Sequence, residues 1–358
     1  MLSVIKIASE YSLVKIIFRK GKAINKELIV HIGAMKTGSS VIQTILANLS
    51  TQLKGSVLKY PSINNYGTNW QAYKGLGAGN GEAVVLGEST LTGIVENLNF
   101  EGKLLISSEM LSESAASLEF WQELEHIRRR FVDKVRVVYY LRDPLNLIFS
   151  NYAHWVKAYG YYNDVSNFIS ENKNSGFALH QIHNAHRIFN FAANSNVDFE
   201  AFSFEENKSN IFEHFIYEAC QISEEDFDSK LINNTRVNQG IGISEVFFLR
   251  GVNSINPIIG KHLGWDLSDI SFERILFESK EPYSITAQAY AELEEILMTY
   301  KNRITQFVDK KIKVNFDLKS NKYVIDGEQN IYLEEIRKLG ILIAKSLDKG
   351  YLNWGFRS

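Results

Sequence analysis

Short apolar runs alternate with stretches of helical period through the first two-thirds of the chain. Apolar runs of about 4–8 residues bounded by turn residues are typical of buried strands, and apolar residues three or four apart are typical of amphipathic helices. The pattern predicts strands at Leu28–Ile32, Val57–Tyr60, Leu104–Ser107, Val135–Leu141 and Val197–Phe202. It predicts helices at Ser39–Leu49, Leu118–Phe131, Pro144–Ala158, Ala178–Ala193, Ile211–Cys220, Ala287–Phe307 and Ile331–Leu347.

Strands separated by helices predict an α/β fold, a central parallel sheet with helices on both faces. We expect an N-terminal helical segment over residues 1–26 and an α/β core over 27–240. Helical patterns dominate after about residue 240, so we expect a mainly helical extension over 241–358, packed on the core. A hairpin is predicted there, formed by Ile312–Val314 and Lys322–Ile325. Ligands of such sheets bind beyond the carboxyl ends of the strands.

Composition restricts the function classes. The chain has 358 residues, a formal net charge of −2 and one cysteine, Cys220. This near-neutral charge argues against nucleic acid as a partner, and a single cysteine excludes a disulfide framework and a multi-cysteine zinc site. No apolar run reaches the roughly 18 residues of a spanning helix, so we expect a cytoplasmic protein. Residues 1–20 form either a packed helix or a basic amphipathic segment that contacts a membrane surface.

A glycine loop follows the first predicted strand. Gly33 ends the apolar run, Gly38 comes five residues later, and Ser39 and Ser40 begin a helical pattern. A strand, a glycine loop and a helix together present free backbone N–H groups and a helix dipole to a phosphate. A triphosphatase loop carries lysine directly after its second glycine, whereas here that place is Ser39 and the lysine is Lys36, inside the loop. The loop therefore suits a phosphate but not ATP hydrolysis.

A second strand–turn–helix unit follows the apolar run at 135–141. Arg142 leaves the strand, Asp143 is a good N-cap, Pro144 suits the first helical position, and Ser150 lies about two turns into the helix. An arginine at a strand end can bind a phosphate through two parallel hydrogen bonds. The alternative is a surface Arg–Asp pair with a serine that only packs.

Together the two units resemble the sulfotransferases that use 3′-phosphoadenosine 5′-phosphosulfate. The resemblance covers roughly residues 27–240 and is closest to the carbohydrate-modifying members. It implies that the first motif binds the 5′-phosphosulfate and the second binds the 3′-phosphate. The first motif comprises Lys36, Thr37, Gly38, Ser39 and Ser40, and the second comprises Arg142 and Ser150.

Three further positions take their roles from this resemblance. Glu109 follows the strand at 104–107, where the family carries its catalytic base, a histidine or a glutamate. Phe204 stands in place of a tyrosine that lies near the adenine. Arg236 lies in a segment similar to a later basic loop that holds the nucleotide, although the usual R-K-G form of that loop is absent.

The expected reaction is in-line transfer of a sulfuryl group to a hydroxyl or amine of a glycan or glycolipid. Lys36 would stabilise charge on the leaving phosphate, and Glu109 would accept the acceptor's proton. No metal is required. Two alternatives stay open, a nucleotide kinase with a P-loop and a non-catalytic nucleotide-binding protein of the same fold. Glu109 as a structural helix-terminal carboxylate and Lys36 as a solvated loop lysine are the corresponding structural interpretations.

Other candidates have simpler explanations. His31 and His154 are expected to pack, and His183 and His186 share a helix face without an acidic partner for a metal site. The glycine-rich stretch 75–81 is expected to be a mobile loop. Acceptor recognition is assigned to variable segments, which are residues 61–90, the tyrosines at 159–162 and the helical last third. The sequence carries no signal for oligomeric state.

Overall fold

The computed structural model describes residues 26–49, 57–67, 79–174, 179–227, 243–269, 282–307, 312, 314–316, 318, 323–325 and 331–348. Within them a parallel sheet of five strands has the order β2-β3-β1-β4-β5. The strands are β1 (Glu27–His31), β2 (Leu58–Lys59), β3 (Lys103–Ser107), β4 (Lys134–Leu141) and β5 (Asp198–Ser203). The predicted α/β fold with a parallel central sheet is confirmed.

Local interactions at the helix termini determine where the helices that cover the sheet begin and end. Pro144 occupies the first turn of its helix, which ends at Gly160 in the left-handed conformation (φ 74°). Ser117 caps another helix by accepting from Phe120 N. The helices are α1 (Ser39–Leu49), α2 (Glu82–Val85), α3 (Leu91–Asn97), α4 (Leu111–Ser114), α5 (Leu118–Arg130), α6 (Pro144–Tyr159), α7 (Val165–Asn172), α8 (His180–Ala193), α9 (Phe204–Asn207) and α10 (Ile211–His214), which continues as a π-helical turn over Phe215–Ala219.

The core lies on both faces of the sheet because alternate strand residues point in opposite directions. Leu28 and Val30 belong to the apolar cluster on the face covered by α5 and α8. Ile29, between them, belongs to the cluster that includes α1 and the segment 211–222. All three side chains are fully buried, as expected for a strand covered on both faces.

The last third is mainly helical, as predicted. Two of its helices pack on α6 and a third packs on α7 and α8. It contains α11 (Ile243–Asn253), α12 (Pro257–Asp269), β6 (Tyr283–Ile285), α13 (Ala287–Ile304), β7 (Tyr323–Ile325) and α14 (Ile331–Asp348).

The predicted hairpin in this region is wrong. Neither Ile312 nor Val314 lies in a strand, and β7 instead pairs in parallel with β6, across α13. Aromatic packing accounts for the pairing, because the rings of Tyr283 and Tyr323 both stack on Phe149, with centroids 5.3 and 5.8 Å away. Such a long-range contact leaves no local signal.

Two further predictions concern the N-terminal segment and membrane-spanning helices. The segment proposed to be helical or membrane-facing, residues 1–20, lies outside the described residues. In the described part of the chain, no helix has the length and apolar character needed to cross a bilayer.

Candidate functional site

The ends of three neighbouring strands meet at one edge of the sheet. β1 is central, and His31 at its end lies opposite Ser107 of β3 and Val138 of β4. The chain leaves β1 through α1 toward β2, on one side, and leaves β4 through α6 toward β5, on the other. Opposite exits from adjacent parallel strands open a crevice between them, where ligands of α/β proteins bind.

The glycine loop after β1 is held by its own polar side chains. Lys36 and Gly38 both have positive φ, at 62° and 81°. The hydroxyls of Thr37 and Ser39 donate to the carbonyl oxygen of Ala34, at 2.5 and 3.0 Å. These two predicted ligands are buried and brace the loop from inside.

Backbone N–H groups are available at the start of α1. Val41 N and Ile42 N both donate to the Gly38 carbonyl. Among the backbone hydrogen bonds between described residues, none is donated by the N–H groups of residues 37–40. The first N–H groups of a helix lack internal partners and carry its positive dipole end, so this turn is suited to bind an anion.

Arg142 joins the two motifs. Its Nη1 donates to the carbonyl oxygen of Lys36 at 2.6 Å, and its Nε lies 3.6 Å from Glu205 Oε1. The guanidinium lies over the Phe204 ring, 5.1 Å from its centroid. That ring also borders Gly38, where an added Cβ would lie 3.4 Å from Phe204 Cε2. Arg142, Phe204 and the glycine loop thus form one wall of the crevice.

Ser150 lies on the face of α6 that runs along this crevice. Asn146, Ser150 and His154 are spaced four residues apart and share one side of the helix. Asn146 Nδ2 donates to Glu205 Oε1 at 3.1 Å, at the Arg142 end. His154 lies at the other end, where the Lys36 charge acts on its ring. Ser150 is half-buried between them.

The charges of Lys36 and Glu109 each change the pKa of the other side chain. Burial lowers the pKa of Lys36 to about 8, the Glu109 carboxylate raises it, and Lys157 and Arg142 lower it. Burial raises the pKa of Glu109 to about 7, against the lowering effect of Lys36. Lys36 and Glu109 are not ion-paired with each other or with other described residues. Both side chains are therefore poised to exchange protons or bind ligands near neutral pH.

The structure adds residues that the sequence pattern did not single out. Lys157 is buried on α6 and, with Lys36, lowers the pKa of His154, after burial itself, to about 3. Glu205, which follows Phe204 in the sequence, was not among the predicted site residues. The spacing of four between Ser150 and His154 was a signal that His154 faces the crevice, although packing was the expected role. His154 does contact Tyr159, with the rings edge to face at 5.6 Å.

Other expectations have clear outcomes. His31 packs as expected, buried with Nδ1 2.8 Å from Ser107 Oγ. The stretch 75–81 was expected to be mobile, yet its described part, 79–81, is docked on β3. The Asn80 amide donates to the Pro61 and Leu105 carbonyls and accepts from Ser107 N. Arg236 lies outside the described residues.

The described residues contain no group of three or more His, Cys, Asp or Glu side chains placed to hold a metal ion. His183 instead has its Nε2 3.1 Å from the Asn172 carbonyl oxygen.

Comparison with family models, with curated proteins and with solved structures finds no match to this chain. The fold and the crevice define an α/β protein with a cation-lined glycine loop at the carboxyl edge of its sheet.

Proposed function

We propose that the protein is a sulfotransferase that moves a sulfuryl group from 3′-phosphoadenosine 5′-phosphosulfate to a hydroxyl or amine of a glycan or glycolipid. The observation that carries the proposal is the joining of Arg142 to the glycine loop through the Lys36 carbonyl, at 2.6 Å. Two cations from adjacent strand ends then suit a ligand with two separate anionic groups. Adenosine carrying a 3′-phosphate and a 5′-phosphosulfate is such a ligand.

In this proposal, the 5′-phosphate of the donor binds the free N–H groups at the start of α1, with Ser40 beside them. The 3′-phosphate binds Arg142, with Ser150 on the neighbouring face of α6. The Phe204 ring, between the loop and Arg142, packs on the nucleoside. Thr37 and Ser39 support the loop, since their hydroxyls donate to Ala34.

The chemistry follows from the charges around the crevice. The bond between sulfur and the 5′-phosphate oxygen breaks, and its electron pair leaves with adenosine 3′,5′-bisphosphate. Lys36 stabilises the charge that develops on this leaving oxygen. The acceptor oxygen forms the new bond to sulfur, and Glu109 takes its proton. A carboxyl whose pKa is about 7 suits this role, because general bases work best when their pKa lies near the working pH.

Thermal unfolding with ligands tests the proposal. We expect adenosine 3′,5′-bisphosphate to stabilise the protein, by about 2.7 kcal/mol at one hundred times its Kd. ATP with Mg²⁺ is the comparison ligand. Stabilisation by ATP with none by the bisphosphate would identify a kinase-like protein and reject the sulfotransferase.

Turnover distinguishes an enzyme from a non-catalytic binding protein. Radiolabelled donor is incubated with a panel of glycans and glycolipids, and transfer is measured for the wild type and for Glu109→Gln. We expect the variant to retain bisphosphate binding and to lose most of its transfer. A wild type that binds the bisphosphate but transfers to no acceptor on the panel favours the binding protein.

A further inference from the structure

A second carboxylate lies beside the candidate base. Ser108 precedes Glu109 at the end of β3 and is completely buried. Its Oγ donates to Glu82 Oε2 at 2.8 Å and accepts from Met110 N at 3.2 Å. The Ser108 hydroxyl therefore links the Glu82 carboxylate to the peptide group that follows Glu109.

The backbone of Glu109 is fixed from several directions. Ser108 N donates to the His31 carbonyl at 3.1 Å, and Ser112 Oγ donates to the Glu109 carbonyl at 3.0 Å. On the loop side, Gly33 lies so close that an added Cβ would be 2.9 Å from Glu109 Cα. The end of β3 therefore holds Glu109 in a defined position against the glycine loop.

Glu82 is held just as firmly. It begins α2, directly after Gly81, whose N–H donates to the Ser107 carbonyl at 3.0 Å. Asn80, one residue earlier, is bound to β3 through its amide. Within the described part of the chain, Glu82 forms no ion pair, so its charge near Glu109 is not neutralised by a neighbouring cation.

The charged groups around Glu109 come from two sides. Lys36 acts from the glycine loop and favours the ionised carboxylate, whereas Glu82 acts from α2 and opposes ionisation. On α4, which follows Glu109 in the chain, Glu113 lies 3.5 Å from His180 of α8. On α6, Lys157 acts on Lys36 and on His154, and Lys36 also acts on His154.

We propose that Glu82 is a positioning residue that, through Ser108, fixes Glu109 at the site and sets how readily Glu109 holds a proton. This inference rests on the proposed function, in which Glu109 is the base. Its chemical consequence is a division of roles between two carboxylates. Glu82 accepts from the Ser108 hydroxyl, while Glu109 faces Lys36 and exchanges the proton.

The test measures the proton affinity of Glu109 directly, by ¹³C NMR of side-chain carboxyls titrated from pH 4 to 9. The Glu109→Gln variant identifies the resonance. We expect Glu82→Gln, which keeps an acceptor oxygen for Ser108, to lower the proton affinity of Glu109. The expected decrease is at least about twofold, because the effect of a unit charge is larger inside a protein than in water.

Two further variants sharpen the test. Ser108→Ala frees the Glu82 side chain to turn toward solvent, so we expect a shift in the same direction but smaller. Glu88→Gln is the matched control, since Glu88 lies on the same segment, accepts from Tyr66 at 3.3 Å and should leave Glu109 unchanged. Circular dichroism checks that each variant is folded, and Ser108→Ala carries the test if Glu82→Gln does not fold.

The outcomes separate this inference from the proposed function. An unchanged or increased proton affinity of Glu109 in Glu82→Gln overturns the inference, even if the protein binds adenosine 3′,5′-bisphosphate. A lowered affinity together with absence of bisphosphate binding keeps the carboxylate pair but removes the sulfotransferase. If transfer activity is detected, the acidic limb of the pH–rate profile should move to lower pH in Glu82→Gln. A purely structural role of Glu82 would not produce this shift.

Discussion

Arg142 Nη1 donates to the backbone carbonyl of Lys36 at 2.6 Å, which ties the end of β4 to the glycine loop after β1. The two residues are far apart in sequence, and only the pairing of β1 with β4 brings them together. This bond holds the backbone of Lys36 in place. It thereby sets the spacing between the Lys36 ammonium and the Arg142 guanidinium. Replacing Arg142 should therefore alter both anion selectivity and the loop.

The first prediction concerns selectivity for the 3′-phosphate. Arg142→Ala should weaken binding of adenosine 3′,5′-bisphosphate by about 10- to 100-fold, since a hydrogen bond to a charged group is worth about 1.5–3 kcal/mol. Adenosine 5′-monophosphate should lose much less, because it lacks the group that Arg142 binds. Isothermal titration calorimetry with both ligands measures the ratio.

Arg129→Ala is the control for loss of an arginine, because Arg129 lies on the surface of α5 in an ion pair with Glu125. Its binding of both ligands should match the wild type. If Arg142→Ala keeps the wild-type preference for the bisphosphate, Arg142 does not bind the 3′-phosphate.

The second prediction is a pH dependence that comes from Lys36. The pKa of Lys36 in the free protein is about 8, lowered chiefly by burial, and a bound phosphate raises it. Affinity for the bisphosphate should thus fall as the pH rises above about 8, by up to about tenfold per pH unit. Starting at pH 7 leaves the phosphates already ionised, since their second pKa is about 6.

Two variants isolate the Lys36 contribution. Lys36→Arg keeps a cation over this whole range and should give a flat profile above pH 8. Glu109→Gln removes the other group that titrates nearby and should leave the fall above pH 8 in place. A wild-type profile that stays flat to pH 9.5 would show that the Lys36 charge does not contribute to binding.

The third prediction concerns Glu205, which competes with a ligand for Arg142. Its carboxylate lies 3.6 Å from Arg142 Nε and accepts from Asp143 N and Asn146 Nδ2. Glu205→Gln removes a negative charge from the crevice while keeping an acceptor oxygen. We expect the bisphosphate to bind about 3- to 10-fold tighter at low salt, with a smaller gain at high salt.

Glu206→Gln provides the same change in net charge one residue away. Glu206 lines the groove of about 950 Å³ along the outer edge of β5. Its affinity should stay close to that of the wild type. Weaker binding in Glu205→Gln would mean that Glu205 orients Arg142 for the ligand and does not compete with it.

The sequence predicted those parts of the site in which function is local. β1 followed by Gly33 and β4 followed by Arg142 are each readable from one continuous stretch, and parallel pairing alone brings their ends to one edge. Burial at the end of a core strand also raises the pKa of Glu109.

The remaining contacts depend on packing between distant segments. Glu205 reaches Arg142 from the turn after β5, and Gln181 of α8 can pair its side-chain amide with both backbone groups of Met35. Glu82 reaches Ser108 from a short helix with almost no periodic signal. The parallel pairing of β6 and β7 is likewise decided by rings that stack on Phe149. No local pattern carries such information.

The last prediction compares two glycines that share a left-handed backbone. Gly33 has φ +96° and an added Cβ would lie 2.8 Å from the Glu109 carbonyl oxygen, whereas Gly87 has φ +72° and nothing within 4 Å. Alanine at Gly87 should cost only the left-handed conformation, about 1–2 kcal/mol. Alanine at Gly33 should cost clearly more, because it must also displace the backbone of the candidate base.

Urea unfolding of Gly33→Ala, Gly87→Ala and the wild type measures the difference. If the Gly33 variant is folded, its bisphosphate affinity and the proton affinity of Glu109 should both change, while those of the Gly87 variant should not. Equal losses of stability in the two variants would show that the loop and the end of β3 are not in close contact in solution. The coupling of Lys36 to Glu109 would then lack its structural basis, since that contact is what holds the two residues on opposite sides of one crevice.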